Sequence, residues 1–205
     1  MEAKVEALVR HIKEVAANPA FRHHQWFFKW HLQVVVQIAG ELTQFYPQAD
    51  KDVVTVMAWM HDYGKMIEFD RDYELTRTAG KPKLLELGFS ESFAEKVIAN
   101  IDILNKKLEI DIALTDIEIQ IVSSADGCSH LIGPFMSVWW HENPNKPIKQ
   151  LMADNVNKAN KDWTRKIVLP EARHVFKKHY DEIIMQNSEL PATFLPKTRK
   201  HECYL

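Results

Sequence analysis

The stretch Val53-Val54-Thr55-Val56-Met57-Ala58-Trp59-Met60-His61-Asp62-Tyr63-Gly64-Lys65 is an apolar run that ends in an adjacent histidine and aspartate. Because apolar side chains fill nearly every position from 53 to 60, the pattern predicts a buried helix with His61 and Asp62 at its end. A buried carboxylate without a partner is strongly disfavoured, so it either acquires a partner or takes up a proton. A metal ion would satisfy the imidazole and the carboxylate together.

The rest of the chain reads as a succession of helices. Its 205 residues, of which 46% are hydrophobic and 26% charged, suit one well-cored domain. The presence of only 6 Gly and 9 Pro argues against a turn-rich β fold. Residues 117–121 alternate in polarity and could form a strand, but no other part of the chain supplies a sheet for it. We therefore predict a single all-α domain over residues 1–205.

Apolar residues at helical spacing define the individual elements. Helices are predicted over 2–17, 24–45, 50–60, 90–105 and 114–131, with Asp50 and Thr115 as N-caps. Gly64 is expected to let the chain leave the helix that precedes it. The remaining segments are predicted as follows: a charged surface connection over 66–74, one or two short helices over 75–87 broken by Gly80 and Pro82, a short aromatic element over 135–140, and two helices over 148–186 divided near Pro170.

Charge and cysteine content exclude several classes of protein. The formal net charge of -2 gives no basic field for nucleic acid. Residues 146–205 hold 12 Lys or Arg against 7 Asp or Glu, which suits either an anionic substrate or a solvated helix face. Cys128 and Cys203 are too few for a disulfide framework, and no apolar run is long enough to cross a bilayer. We expect a cytoplasmic protein with no nucleic-acid or membrane partner; nothing in the pattern indicates its oligomeric state.

Four ionisable residues lie on or beside apolar helical stripes, where Leu or Val would pack without penalty: His31, His61, Asp62 and Asp126. Taken singly, each has an ordinary explanation, since a lone core histidine is commonly hydrogen-bonded and Asp126 could pair with a neighbour such as His130. Together, two imidazoles and two carboxylates from three helices suit a divalent first-row cation with positions left for water and substrate.

The order of these residues resembles a known family. His31 follows Trp30 and precedes a Val-rich helix, His61-Asp62 lies in His-Asp-Tyr-Gly-Lys, and Asp126 lies in Ser-Ala-Asp-Gly. The pattern, which covers roughly residues 22–132, is similar to the HD superfamily of metal-dependent phosphohydrolases, named after the His-Asp pair. The resemblance implies a helical bundle with about five core helices. Additional helices would lie at both ends, with a C-terminal extension over 147–187 and a loose tail over 191–205.

The resemblance also implies that His31, His61, Asp62 and Asp126 are metal ligands. Family members with two metals, including the cyclic-dinucleotide phosphodiesterases and the mixed-valence di-iron oxygenases, have further histidines between the His-Asp pair and the last Asp. Residues 63–125 contain no histidine here. We therefore expect a single divalent ion, which could be Mn, Mg, Co, Ni, Fe or Zn.

Three further residues are candidates for roles in the reaction. Lys65 is predicted to bind the substrate phosphate without holding the metal; the alternative is a surface lysine that a helix end stabilises. Glu68 is a candidate general base or water-orienting residue, although carboxylates are common in its acidic loop. His130, one turn after Asp126, is a candidate proton donor or hydrogen-bond partner of a ligand. Asp62 is expected to act in catalysis as well as in metal binding.

These expectations predict a metal-dependent phosphohydrolase that acts on a phosphomonoester, a nucleotide or a related small phosphorylated metabolite. The ion would lower the pKa of a bound water molecule and polarise a phosphoryl oxygen. The alternative is an HD-fold ligand-binding or regulatory module with little catalysis, although such a module has no need of four buried ionisable groups. Residues 66–90 and 130–170 are expected to shape the substrate pocket.

Overall fold

The computed structural model describes residues 1–190, and within them the chain forms helices and turns with no β-strand. This confirms the predicted all-α fold. The predicted tail over 191–205 lies outside the described residues. The α-helices of the described part are α1 (Glu2–Ala16), α2 (Gln33–Thr43), α3 (Lys51–Met60), α4 (Tyr63–Ile67), α5 (Asp72–Glu86), α6 (Glu91–Asn105), α7 (Ile117–Ser129), α8 (Phe135–Glu142), α9 (Ile148–Lys161) and α10 (Pro170–Gln186).

Helix α3 lies at the centre of the bundle, as its apolar sequence predicts. Seven of its ten side chains are buried, and helices α1, α2, α6 and α7 pack around it. Since full burial of a large apolar side chain contributes about 1.5–3 kcal/mol, this helix is a principal source of stability. Its burial also fixes the position of His61 and Asp62, which follow its last residue.

Capping residues set the first turns of α3 and α6. Asp50 accepts hydrogen bonds from two backbone N–H groups at the start of α3, and the Ser90 hydroxyl accepts one at the start of α6. The prediction of Thr115 as the cap of α7 was wrong. Asp116 is the residue that precedes α7, and the Thr115 hydroxyl instead donates to the backbone carbonyl of Ile112.

Gly64 does not end a helix, contrary to the sequence prediction. It lies inside α4, and its N–H donates to the Thr76 hydroxyl of α5 at 2.8 Å. A Cβ atom at Gly64 would lie 2.0 Å from the carbonyl oxygen of Asp72 and 2.6 Å from the backbone nitrogen of Thr76. Glycine is therefore needed because α4 and α5 approach each other closely. This contact holds the chain directly after the His-Asp pair.

Residues 72–86 form one continuous helix, α5, with Pro82 inside it, rather than two interrupted pieces. Gly80 packs against the helices beside it, since a Cβ there would lie 2.8 Å from Ile98 Cδ1 and 3.2 Å from Met60 Cε. Close packing on α3 and α6 thus outweighs the weak local preference for helix at Gly80 and Pro82.

The helix predicted over 24–45 begins later and includes a π-helical turn, Phe28–Leu32, before α2. A second π-helical turn, Asp162–Lys166, follows α9. In each turn a backbone N–H bonds to the carbonyl five residues earlier. Such turns are uncommon and are often found at functional sites. The first one carries His31.

The C-terminal helices join the bundle through α7. The second π-helical turn and α10 both pack on α7, and α9 packs on α10. The predicted division near Pro170 is confirmed, because Pro170 is the first residue of α10. Across residues 1–190, the structure contains no helix with the length and apolar character needed to cross a membrane. The organisation of 1–205 as a single domain stays a prediction.

Candidate metal centre

Four buried side chains from separate segments converge beyond the C-terminal end of α3. His31 comes from the first π-helical turn, His61 and Asp62 connect α3 to α4, and Asp126 belongs to α7. The Nε2 atom of His31 lies 3.2 Å from Nε2 of His61 and 3.3 Å from Oδ2 of Asp62. Oδ1 of Asp126 lies 3.9 Å from each of the two Nε2 atoms. None of the four residues is more than 8% exposed, so the predicted ligands form one cluster.

A hydrogen bond at Nδ1 orients each imidazole. Nδ1 of His61 lies 2.8 Å from the carbonyl oxygen of Ala58, which only accepts, so this nitrogen carries the proton. The Ser129 hydroxyl donates to the backbone carbonyl of Asp126 at 2.7 Å, and it can then only accept from Nδ1 of His31 at 3.1 Å. For the neutral form of each ring, the hydrogen-bond network places the proton on Nδ1. Both Nε2 lone pairs consequently face the cluster.

The convergence of two lone pairs favours a cation between them. A first-row divalent ion binds imidazole nitrogen and carboxylate oxygen at about 2.0–2.2 Å, which places neighbouring donor atoms about 3–3.6 Å apart. The ligand atoms of His31, His61 and Asp62 are 3.2–3.6 Å apart, so these residues can hold a metal ion. A second group with suitable spacing, formed by His31, Asp126 and His130, shares His31 with the first.

Each aspartate of the cluster also contacts a lysine at 2.6 Å: Lys65 with Oδ2 of Asp62, and Lys166 with Oδ2 of Asp126. Burial raises the pKa of both carboxyl groups, but the lysines and the imidazoles outweigh it and hold each pKa well below its usual range. Asp126 turns its other oxygen to the imidazoles. On Asp62, a single oxygen faces both Lys65 and His31. Lys65, which was predicted to contact substrate only, therefore lies directly against a candidate ligand.

Lys166 belongs to a buried network that the sequence reasoning missed. Asp162, which is fully buried, lies 2.7 Å from Nζ of Lys158, 3.4 Å from Nζ of Lys166 and 3.0 Å from Nδ1 of His130. Lys158, Asp162 and Lys166 are separated by four residues each, so they occupy one helical face. The alternation of charge at that spacing was the signal available in the sequence.

His130 lies beside the cluster. Its Nε2 is 3.4 Å from Oδ1 of Asp126, and its ring stacks on that of His31 with centroids 5.1 Å apart. Burial, and next the neighbouring Lys158, lower the pKa of His130 to about 3. The ring is therefore neutral at pH 7 and has one N–H to donate. This favours the predicted role as a hydrogen-bond partner over that of a proton donor.

The cluster faces a cavity of about 640 Å³, a size suited to a small-molecule ligand. Aromatic side chains form part of its wall, among them Trp26, Phe69, Tyr73 and Phe135. Five lysines also line it: Lys65, Lys107, Lys158, Lys161 and Lys166. The expectation that 66–90 and 130–170 shape the pocket is met in part, since residues near 22–31 and Lys107 contribute as well.

No protein-family model, curated protein or solved structure matches this chain. The assignment of a candidate metal centre therefore depends on the geometry of the side chains alone. The resemblance of residues 22–132 to the HD superfamily stays a prediction.

Three further residues lie outside the His/Asp cluster. Glu68 does not line the cavity; its exposed carboxylate pairs with Arg71 at 3.1 Å, so the structure does not place it to act on a substrate. Cys128 is buried, and burial raises the pKa of its thiol, which makes it unreactive. His23 does line the cavity, with Nδ1 2.8 Å from Oε1 of Glu142.

Proposed function

We propose that the protein is a metal-dependent phosphohydrolase of the HD superfamily that hydrolyses a phosphomonoester, a nucleotide or a related small phosphorylated metabolite. The observation that carries the proposal is the position of the His/Asp cluster, which faces a cavity lined by five lysines. A phosphate monoester carries about −1.5 to −2 charges at pH 7, so its binding requires cations beside the metal ligands. The aromatic wall suits the organic part of such a substrate.

The side chains of the cluster have different proposed roles. His31 and His61 would hold the ion through Nε2, and Asp62 and Asp126 through carboxylate oxygens. A divalent ion held by these residues would lower the pKa of a water molecule and polarise a phosphoryl oxygen. Ser129 keeps the His31 ring in the tautomer that presents a lone pair, and the Ala58 carbonyl does the same for His61. We propose a single ion, because both candidate ligand groups depend on His31.

A second candidate is a ligand-binding or regulatory module with little catalysis. One observation favours it: Lys65 and Lys166 pair with the two aspartates of the cluster and neutralise their charges. A protein of this kind would bind a phosphorylated ligand through the cavity lysines and release no phosphate. The two candidates therefore differ in a single measurable property, the turnover of bound ligand.

Metal analysis combined with a phosphate-release screen tests the proposal. The purified protein is analysed for metals and then assayed on phosphomonoesters and nucleotides with Mn, Mg, Co or Ni. Asp62→Asn should lose both metal and phosphate release, whereas Asp70→Asn, which changes an exposed carboxylate outside the cluster, should keep both. Full activity of Asp62→Asn, or undiminished activity after chelation, would overturn the proposal. Binding of phosphorylated ligands without turnover would select the second candidate.

A further inference from the structure

The five lysines of the cavity differ in whether a carboxylate accompanies them. Lys65, Lys158 and Lys166 each lie 2.6 or 2.7 Å from an aspartate. Lys107 forms no ion pair with any carboxylate of residues 1–190. Lys161 also forms none in this part of the chain, but its side chain is exposed to water. Lys107 is therefore the cavity lysine that is partly withdrawn from water with no carboxylate of residues 1–190 in contact with its ammonium group.

In the turn after α6, the burial of a charged and an apolar side chain is the reverse of the usual distribution. Lys107 is half-buried and faces the cavity, while the next residue, Leu108, is 56% exposed. Burial of a leucine is favourable and desolvation of an ammonium group is unfavourable, so packing alone would favour the opposite arrangement. The position of Lys107 thus needs a reason other than packing.

Electrostatic interactions also disfavour a charged Lys107 in this position. Burial, and next the nearby Lys166, lower the pKa of Lys107 to about 8, and they outweigh the opposing effect of the more distant carboxylates of Asp126 and Asp62. The Tyr73 ring, whose centroid lies 5.9 Å from Nζ, gives only weak compensation. An anion in the cavity would supply the opposite charge in direct contact that Lys107 lacks, and it would form a charge-assisted hydrogen bond with the ammonium group.

We propose that Lys107 binds an oxygen of a phosphate group in the cavity, so that this residue rather than Lys65 is the anchor for the substrate's phosphate. The choice of phosphate as the anion rests on the proposed function; the presence of an anion site does not. Lys65 and Lys166 hold aspartates of the metal centre, and Lys158 holds Asp162, so each of these ammonium groups already has an anion.

Calorimetric titration of the metal-loaded protein with inorganic phosphate tests the proposal. Lys107→Gln should weaken phosphate binding roughly tenfold to a hundredfold, the loss of one charge-assisted contact. Lys106→Gln removes an exposed lysine one residue earlier and should leave the affinity unchanged. Lys107→Arg keeps the charge and should retain binding to within a few fold of wild type. All variants should keep the metal content of the wild type.

Thermal unfolding without phosphate separates a binding role from a structural one. Removal of a desolvated, unpaired cation should leave the melting temperature of Lys107→Gln equal to or above that of wild type. A lower melting temperature together with unchanged phosphate affinity would overturn the proposal and indicate that Lys107 stabilises the end of α6. Absence of phosphate binding by the wild type would also overturn it.

The phosphate titration and the turnover assay can fail independently. If Lys107→Gln weakens phosphate binding but no substrate is hydrolysed, the anion site stands and the proposed hydrolase activity fails. If the wild type releases phosphate from a substrate but Lys107→Gln binds inorganic phosphate as tightly as wild type, the activity stands and the role of Lys107 is wrong.

Discussion

Replacement of Gly64 by alanine should strongly destabilise the protein, because the new methyl group would meet backbone atoms. The Cβ would lie 2.0 Å from the carbonyl oxygen of Asp72, whereas ordinary contact begins at 3.4 Å. No side-chain rotation can relieve this overlap, so α4 and α5 must separate. Overpacking usually costs about 1–3 kcal/mol and occasionally more, and we expect about 3 kcal/mol here. For a chain of this size that lowers the melting temperature by about 6–12 °C.

Gly40→Ala is the matched control for this experiment. Gly40 lies in the exposed part of α2, and a Cβ there would meet nothing within 4 Å. Because alanine is the better helix former, this change should stabilise the protein by about 0.5–1 kcal/mol. Denaturant unfolding of both variants measures the opposite signs. A Gly64→Ala value within about 0.5 kcal/mol of wild type, the range of an ordinary surface substitution, would refute the packing argument.

Three further predictions concern metal affinity, which chelator competition measures in each variant, and the third also concerns phosphate release. Lys65→Met should tighten metal binding, because it removes a cation 2.6 Å from the Asp62 oxygen that also faces His31. Weaker binding would mean that Lys65 holds the Asp62 carboxylate in the position that the metal requires. Ser129→Ala should weaken metal binding about 10–100-fold, because Nδ1 of His31 loses its acceptor, and unchanged binding would contradict the tautomer assignment. Glu68→Ala should change neither metal affinity nor phosphate release, because its exposed carboxylate pairs with Arg71 and does not line the cavity. A large loss of turnover would show that Glu68 acts in the reaction.

Those parts of the fold that depend on local interactions could be predicted from the sequence. The cap at Asp50 satisfies N–H groups within the same turn, so a few residues contain all the necessary information. Gly64 and Gly80 were misinterpreted because their role comes from another helix, which approaches too closely for a side chain. Helix propensity describes an isolated segment, so it takes no account of a neighbouring helix that packs closely against the glycine.

The candidate site likewise contains some residues that could be identified from the sequence and others that could not. His31, His61, Asp62 and Asp126 stand out because an ionisable group on an apolar stripe is improbable without a partner. Lys166 could not be identified similarly, since a lysine on a charged helix normally lies in water. Its burial against Asp126 depends on the packing of the second π-helical turn on α7.

The two π-helical turns make the length of the chain, and not only its composition, a determinant of the metal centre. Each turn contains one residue more than a regular α-helical turn, and successive residues of an α-helix differ by about 100° around its axis. Deletion of Leu32, the residue of this turn that lies between His31 and α2, would restore regular helical hydrogen bonds while it rotates the backbone that carries His31 by about 100° relative to α2. A single-residue deletion there would therefore separate His31 from His61 even if every candidate ligand were retained.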